Sequence, residues 1–228
     1  MTIEQLISEL RRCAGFEDLD GASVAAKKLA ALDSDAATTA LSSLLEQLDE
    51  VDLTDDAGDV ADEVWRTRQA VTLGLEACGH RAIEPLRSLI ARPPSSAGQA
   101  ALLVLAKLAD HAAAPVAIDW VNRGVMDALV PLGLLAPPGA VELLTRAIAD
   151  AAPPNDGWVK RLAAHALGKI NTDAALDVLE RQLRDADWFA RLGAAEALHE
   201  MGGARARGLL ESATHDTDAR VAAAAKTR

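Results

Sequence analysis

The chain has 228 residues, half of them apolar, and a formal net charge of −11. Lys and Arg form no run, and Arg11-Arg12 and Lys27-Lys28 are isolated pairs. This argues against a nucleic-acid binder, whose affinity comes from neutralising phosphates. The apolar residues are mostly Ala and Leu, with no Tyr and two Phe, a composition that favours helices over strands.

In chain order, apolar periodicity predicts helices near 2–13, 21–32 and 35–48. An acidic segment follows at 49–58, where Asp49, Glu50, Asp52, Asp55 and Asp56 repel one another, and a loop is expected there. Further helices are predicted near 59–78, 80–91, 96–109, 112–122, 125–135, 139–150, 157–170, 173–184, 188–201, 204–213 and 219–227. Gly79, Asn171-Thr172-Asp173 and Gly202-Gly203 fall where a helix ends and tolerate left-handed backbone. Asp156, Asp187 and Asp218 precede helices and suit the capping position.

The helices repeat. Lys160-Arg161-Leu162-Ala163-Ala164-His165-Ala166-Leu167-Gly168-Lys169-Ile170 matches Arg191-Leu192-Gly193-Ala194-Ala195-Glu196-Ala197-Leu198-His199-Glu200-Met201 at an offset of 198 − 167 = 31. Anchors at Leu29, Leu75, Leu105, Leu134, Leu167 and Leu198 are spaced 46, 30, 29, 33 and 31. The acidic segment explains the first long spacing, and Ala151-Ala152-Pro153-Pro154-Asn155 explains the fourth. Each unit holds an A helix, with Ala at close-packing positions such as Ala194, Ala195 and Ala197, and an amphipathic B helix, as in Leu176, Leu179 and Leu183. One such pair cannot bury its apolar face alone, whereas stacked pairs form a continuous core.

Residues 159–170 resemble the short bacterial HEAT repeat, the type also found in phycobilisome-lyase-like proteins. The resemblance is strongest over 157–228 and weakest over 1–48 and 111–150. It implies a right-handed α-α superhelix of about six to seven helix pairs, a single all-α solenoid over 1–228. It also implies A helices on the convex side and B helices lining the concave side. Such repeats serve scaffolds, adaptors, lyases and hydroxylases alike, so fold is implied more firmly than function.

Trp65, Trp158, Trp188 and Phe189 are predicted at the start of A helices. Trp158 matches Phe189 at the 31-residue offset, so the rings should form a row along one edge. Large aromatics are enriched at binding hot spots; the alternative is a hydrophobic staple at each helix start. Asp185, Asp187, Asp216 and Asp218 lie on the same turns, with Arg68, Lys160, Arg191 and Arg220 just after, as expected of a structural ladder. An acidic rim around aromatics favours a basic partner. The B helices offer mixed charge, including Arg181 and Arg184.

Catalytic signals are sparse. His199-Glu200 resembles one His-Glu pair of the HEAT-repeat deoxyhypusine hydroxylases, but that family uses several pairs, placed nearer the helix start. No HxxxH spacing gathers metal ligands on one helix, and no Gly-x-Ser-x-Gly or phosphate-binding Gly loop occurs. No metal and no cofactor are expected.

Cys13 and Cys78 are expected to be buried thiols in a reducing compartment. Met1-Thr2-Ile3-Glu4 has no signal-peptide pattern, and no apolar run reaches the ~18 residues of a membrane span, so a cytoplasmic protein is expected. The leading expectation is a non-catalytic scaffold or adaptor that binds a protein or peptide along its concave face and aromatic edge. The alternative, which the resemblance implies, is a lyase-like or chaperone-like role on a cofactor-bearing protein.

Overall fold

A computed structural model describes residues 1–49, 59–154 and 156–226. Among these residues all regular structure is helical, and each predicted helix is present within a few residues of its expected bounds. The chain divides into two compact units, Met1–Asp110 and His111–Arg228. The loop expected at 49–58 falls, apart from Asp49, outside the described residues.

Unit 1 contains α1 (Ile3–Gly15), α2 (Leu19–Ala30), α3 (Asp35–Gln47), α4 (Asp59–Cys78), α5 (Ile83–Ile90) and α6 (Ser96–Lys107). The helix starts follow from local chemistry, because free backbone N–H groups there need acceptors. Thr2 and Gln5 form a reciprocal capping box on α1. Asp18, Ser34 and Ser95 accept from Gly21, Ala37 and Gly98 to cap α2, α3 and α6. Asp49 also reaches α6, where its Oδ1 accepts from the Ala97 N–H at 2.7 Å. This one member of the acidic segment is therefore a cap. In the A layer α2 packs on α4 and α4 on α6, while α3 and α5 form the second layer and α1 closes against α2 and α4.

Unit 2 contains α7 (Ala114–Asn122), α8 (Leu129–Leu135), α9 (Ala140–Asp150), α10 (Asp156–Ile170), α11 (Asp173–Gln182), α12 (Trp188–Met201), α13 (Gly203–Ala213) and α14 (Ala219–Lys226). The A helices α8, α10, α12 and α14 stack in order, and α7, α9 and α11 do the same in the B layer. α14 closes the array by packing on α12 and α13. Gly79, Asn171, Gly202 and Gly203 have φ between +51° and +82°, the left-handed backbone expected after A helices.

The repeat anchors Leu29, Leu75, Leu105, Leu167 and Leu198 are all fully buried. Leu134 is the exception, for it is half-buried while Leu132 takes the core position. The cause is Gly133, which lets α8 approach α10 so closely that a Cβ there would lie 2.5 Å from Ala166 Cα. Leu132-Gly133 thus does in α8 what Leu167-Gly168 does in α10, where Gly168 faces Ala197. Small residues permit helix axes at the short end of the ~8–10 Å range.

Candidate functional site: an aromatic and acidic edge in unit 2

The 31-residue period places Trp158 of α10 and Phe189 of α12 side by side. Their ring centroids are 4.9 Å apart, edge to face at 78°. Trp188 meets Phe189 at 5.2 Å and 62°. Such edge contacts add about 0.5–1.5 kcal/mol beyond area burial. Two guanidinium groups of the chain extend the cluster. Arg161 Cζ lies 4.7 Å from the Phe189 centroid, and Arg220 Cζ lies 3.2 Å from that of Trp188. Arg161 is held in place by two hydrogen bonds to Glu196, at 3.0 and 2.9 Å. Trp188 is the first residue of its helix, after the cap Asp187, so it does not hold the preceding position that a hydrophobic staple requires.

The acidic residues repeat beside the rings. Asp187 Oδ1 accepts from the Phe189 N–H at 3.0 Å, and Asp218 Oδ1 from the Arg220 N–H at 2.9 Å. Asp185 and Asp216 in turn accept from the N–H groups of Asp187 and Asp218, at 2.9 and 2.8 Å. Each is also paired with the A helix before it. Lys160 Nζ is 3.0 Å from Asp185 Oδ2, and Arg191 donates Nε and Nη2 to the two Asp216 oxygens at 2.8 and 2.9 Å. Both pairs span 25 residues, since 185 − 160 = 216 − 191 = 25. The expected ladder is therefore real for these members. Asp156 differs, because it is the first residue of α10.

The ladder shifts proton affinities. The Arg191 guanidinium lowers the Asp216 carboxyl below its ordinary 3.8, although partial burial opposes this. Arg220 holds Asp218 down to about 2, chiefly by its side-chain hydrogen bonds. Gln182, a residue without an obvious sequence signal, ties the layers together. It is buried, and its Nε2 donates to the Lys160 carbonyl at 2.9 Å and the Ala190 carbonyl at 3.1 Å.

Between the two A-helix starts lies an open cleft of about 330 Å³, lined by Pro154, Asp156, Gly157, Trp158, Asp187, Trp188 and Phe189. Trp158 is 55% exposed beside it. The predicted site residues are only partly gathered here. Trp158, Trp188 and Phe189 form one cluster. Trp65 lies in unit 1, on the second turn of α4 rather than at its start, and is 52% exposed. Arg181 and Arg184 are exposed at the end of α11 outside the cleft, where Arg184 pairs with Glu180 at 3.0 Å. Arg205 of α13 bonds both Asp177 and Glu180 of α11, so B-helix charges largely neutralise one another. In unit 1, Arg66 donates Nε to the Ala14 carbonyl at 2.7 Å, while Arg68 Nε is buried with no hydrogen-bond partner among the described residues.

A second groove was not anticipated. It encloses about 590 Å³ between α7, α9 and the start of α10, with Val121, Val125, Met126, Leu129, Leu143 and Ala147 among its walls. Arg146 crosses its mouth to hydrogen-bond Asn122. Its only sequence signal is the insertion at 151–155, which lengthens the connection between α9 and α10. Among the described residues no group of three or more His, Cys, Asp or Glu is placed to hold a metal ion. His165 is exposed on α10, yet partial desolvation lowers its pKa. Cys13 and Cys78 are free and buried. No helix among the described residues is long and apolar enough to cross a membrane.

These stacked helix pairs define an α-solenoid protein. The family profile described as HEAT repeats matches residues 127–188 and 147–227, so this stretch carries HEAT repeats. No curated protein matches the chain. Similar solved structures include an engineered protein, 19% identical, with TM-score 0.49 over 95% of this chain and 66% of that one. Human deoxyhypusine hydroxylase in complex with glycerol is 14% identical, with TM-score 0.42 over 91% and 77%. A designed armadillo repeat protein in complex with the peptide (KR)4 is 17% identical, with TM-score 0.38 over 99% and 97%.

Proposed function

We propose that the protein is a non-catalytic interaction scaffold that binds a partner protein or peptide along the aromatic and acidic edge of unit 2. The observation that carries this reading is Trp158. Its ring is supported by Phe189, yet more than half of it remains in water. A supported, exposed Trp offers a large area at little entropic cost, the property that makes it a binding anchor. Three neighbouring aspartates, Asp156, Asp185 and Asp187, together with the net charge of −11, favour a basic partner. Arg181 of α11 and Arg184 just after it extend the surface into the B layer, where mixed charge suits a polar rim.

The experiment is site-specific photocrosslinking in cells from position 158, through a photoreactive aromatic residue that keeps a ring there, with position 65 as the reference. A defined partner captured from 158, and released by Trp158→Ala in a binding assay, is the expected result. No captured protein from 158, together with turnover of a small molecule by the purified chain, would sink the scaffold reading.

A further inference from the structure

Two aromatic rings on this edge already carry a guanidinium from the chain itself, and among the described residues the third carries none. Arg161 covers Phe189 and Arg220 covers Trp188. Arg220 is at the same time bonded to the capping aspartate of its own helix, with Nε 3.1 Å from Asp218 Oδ1 and Nη2 2.8 Å from Oδ2. The molecule thus holds a finished example of one device, a guanidinium clasped between a capping Asp and the Trp of the preceding helix.

One repeat earlier the device is incomplete. At the 31-residue offset Asp187 stands for Asp218, Phe189 for Arg220 and Gly157 for Trp188. The equivalence is spatial as well, because a Cβ on Gly157 would lie 3.4 Å from Phe189, as Trp188 lies against Arg220. The glycine leaves this position without an indole, and Gly157 lines the cleft of about 330 Å³. Its walls are Trp158 and Trp188. Asp187 contributes Oδ2, which accepts no hydrogen bond from a described residue, and Asp156 lies at the rim.

We propose that this cleft takes the guanidinium of an arginine side chain from a partner peptide, laid against Trp158 and paired with Asp187. The inference deepens the interaction-scaffold reading and rests on it. Arginine fits better than lysine because its planar group stacks on an indole and donates to a carboxylate in the same pose, as Arg220 does. Trp is the strongest ring partner for such a cation.

The probe is an acetylated, amidated Gly-Ser-Arg-Gly-Ser peptide, titrated into the full chain while the indole N–H signals are followed by NMR. Its citrulline counterpart, which is isosteric and neutral, is titrated in parallel. The expected result is a saturable shift of the Trp158 indole in the millimolar range, with citrulline binding about fivefold more weakly, the size of one cation–π contact. Asp187→Asn keeps the helix cap and removes the charge, and should weaken binding by a similar factor. Gly157→Ala should do the same, since its methyl would lie 2.6 Å from Asp187 Oδ2 and push the carboxylate aside. Trp158→Leu should abolish the site.

Equal binding of arginine and citrulline peptides, or unchanged binding by Asp187→Asn, overturns the proposal, as does no shift at all. If the arginine probe fails while position 158 still crosslinks a defined partner, the guanidinium site is wrong and the scaffold reading stands. If both fail and the purified chain turns over a small molecule, the scaffold reading falls with it.

Discussion

Arg191 and Asp216 join two consecutive repeats through a pair of parallel hydrogen bonds, at 2.8 and 2.9 Å, with only 12% and 11% of their side chains exposed. Arg191 also donates Nη1 to the carbonyls of Asp185 and Ala186, at 2.9 and 3.0 Å. One side chain thus ties the turn before its own helix to the turn after the next B helix. Arg191→Ala should cost about 2 kcal/mol, the scale of a charge-assisted bond lost from a mostly buried site. Chemical denaturation of the variant, of Asp216→Ala and of the double variant should show strong coupling. Additive losses would mean that the pair contributes little.

The same residues set an acid limit. Folded Asp216 and Asp218 titrate below their ordinary value of 3.8, and Asp218 near 2. Unfolding releases their arginines and returns both carboxyls to about 3.8. Lowered folded values mean that the stabilisation is complete above 3.8 and is lost as pH falls toward 2. Thermal unfolding followed by circular dichroism should show the melting temperature dropping across that window. In Asp216→Asn the drop should be shallower.

Two glycines should respond in opposite directions to alanine. Gly133 faces Ala166 with no space for a methyl, so Gly133→Ala should destabilise unit 2 by about 1–3 kcal/mol, the usual cost of overpacking. Gly208 lies inside α13 with nothing within 4 Å of an added Cβ. Gly208→Ala should instead stabilise by about 0.5–1 kcal/mol. Paired urea titrations test both, and a neutral Gly133→Ala would show that α8 and α10 can separate without penalty.

Trp158 and Trp188 should separate stability from binding. Trp188 packs on Phe189 and under Arg220, whereas Trp158 touches Phe189 by its edge and is mostly in water. Trp188→Ala should therefore lower the melting temperature more than Trp158→Ala. Partner affinity should fall more with Trp158→Ala. The reverse ordering in either assay would assign the structural role to Trp158.

Helix content and register were legible in the residues themselves. A period of 31, alanines on the A helices and Asp before them reflect forces that act within one repeat or between neighbours, so they leave a pattern along the chain. The Asp185 and Asp216 ladder is legible for the same reason. Leu134 shows where this stops, because the glycine beside it allows a close approach that moves the core position to Leu132.

What tertiary structure alone decided is which exposed groups meet. Trp65 and Trp158 look alike in sequence, yet among the described residues only Trp158 stands on a second ring and beside a carboxylate oxygen that accepts no hydrogen bond. Gln182 and the cleft above Gly157 were equally unmarked, since both arise from atoms of separate helices brought within a few ångströms. Periodicity specifies the repeat because every copy must stack on the next. The candidate site lies where one copy departs from the pattern, and only the packed structure shows what that departure leaves open.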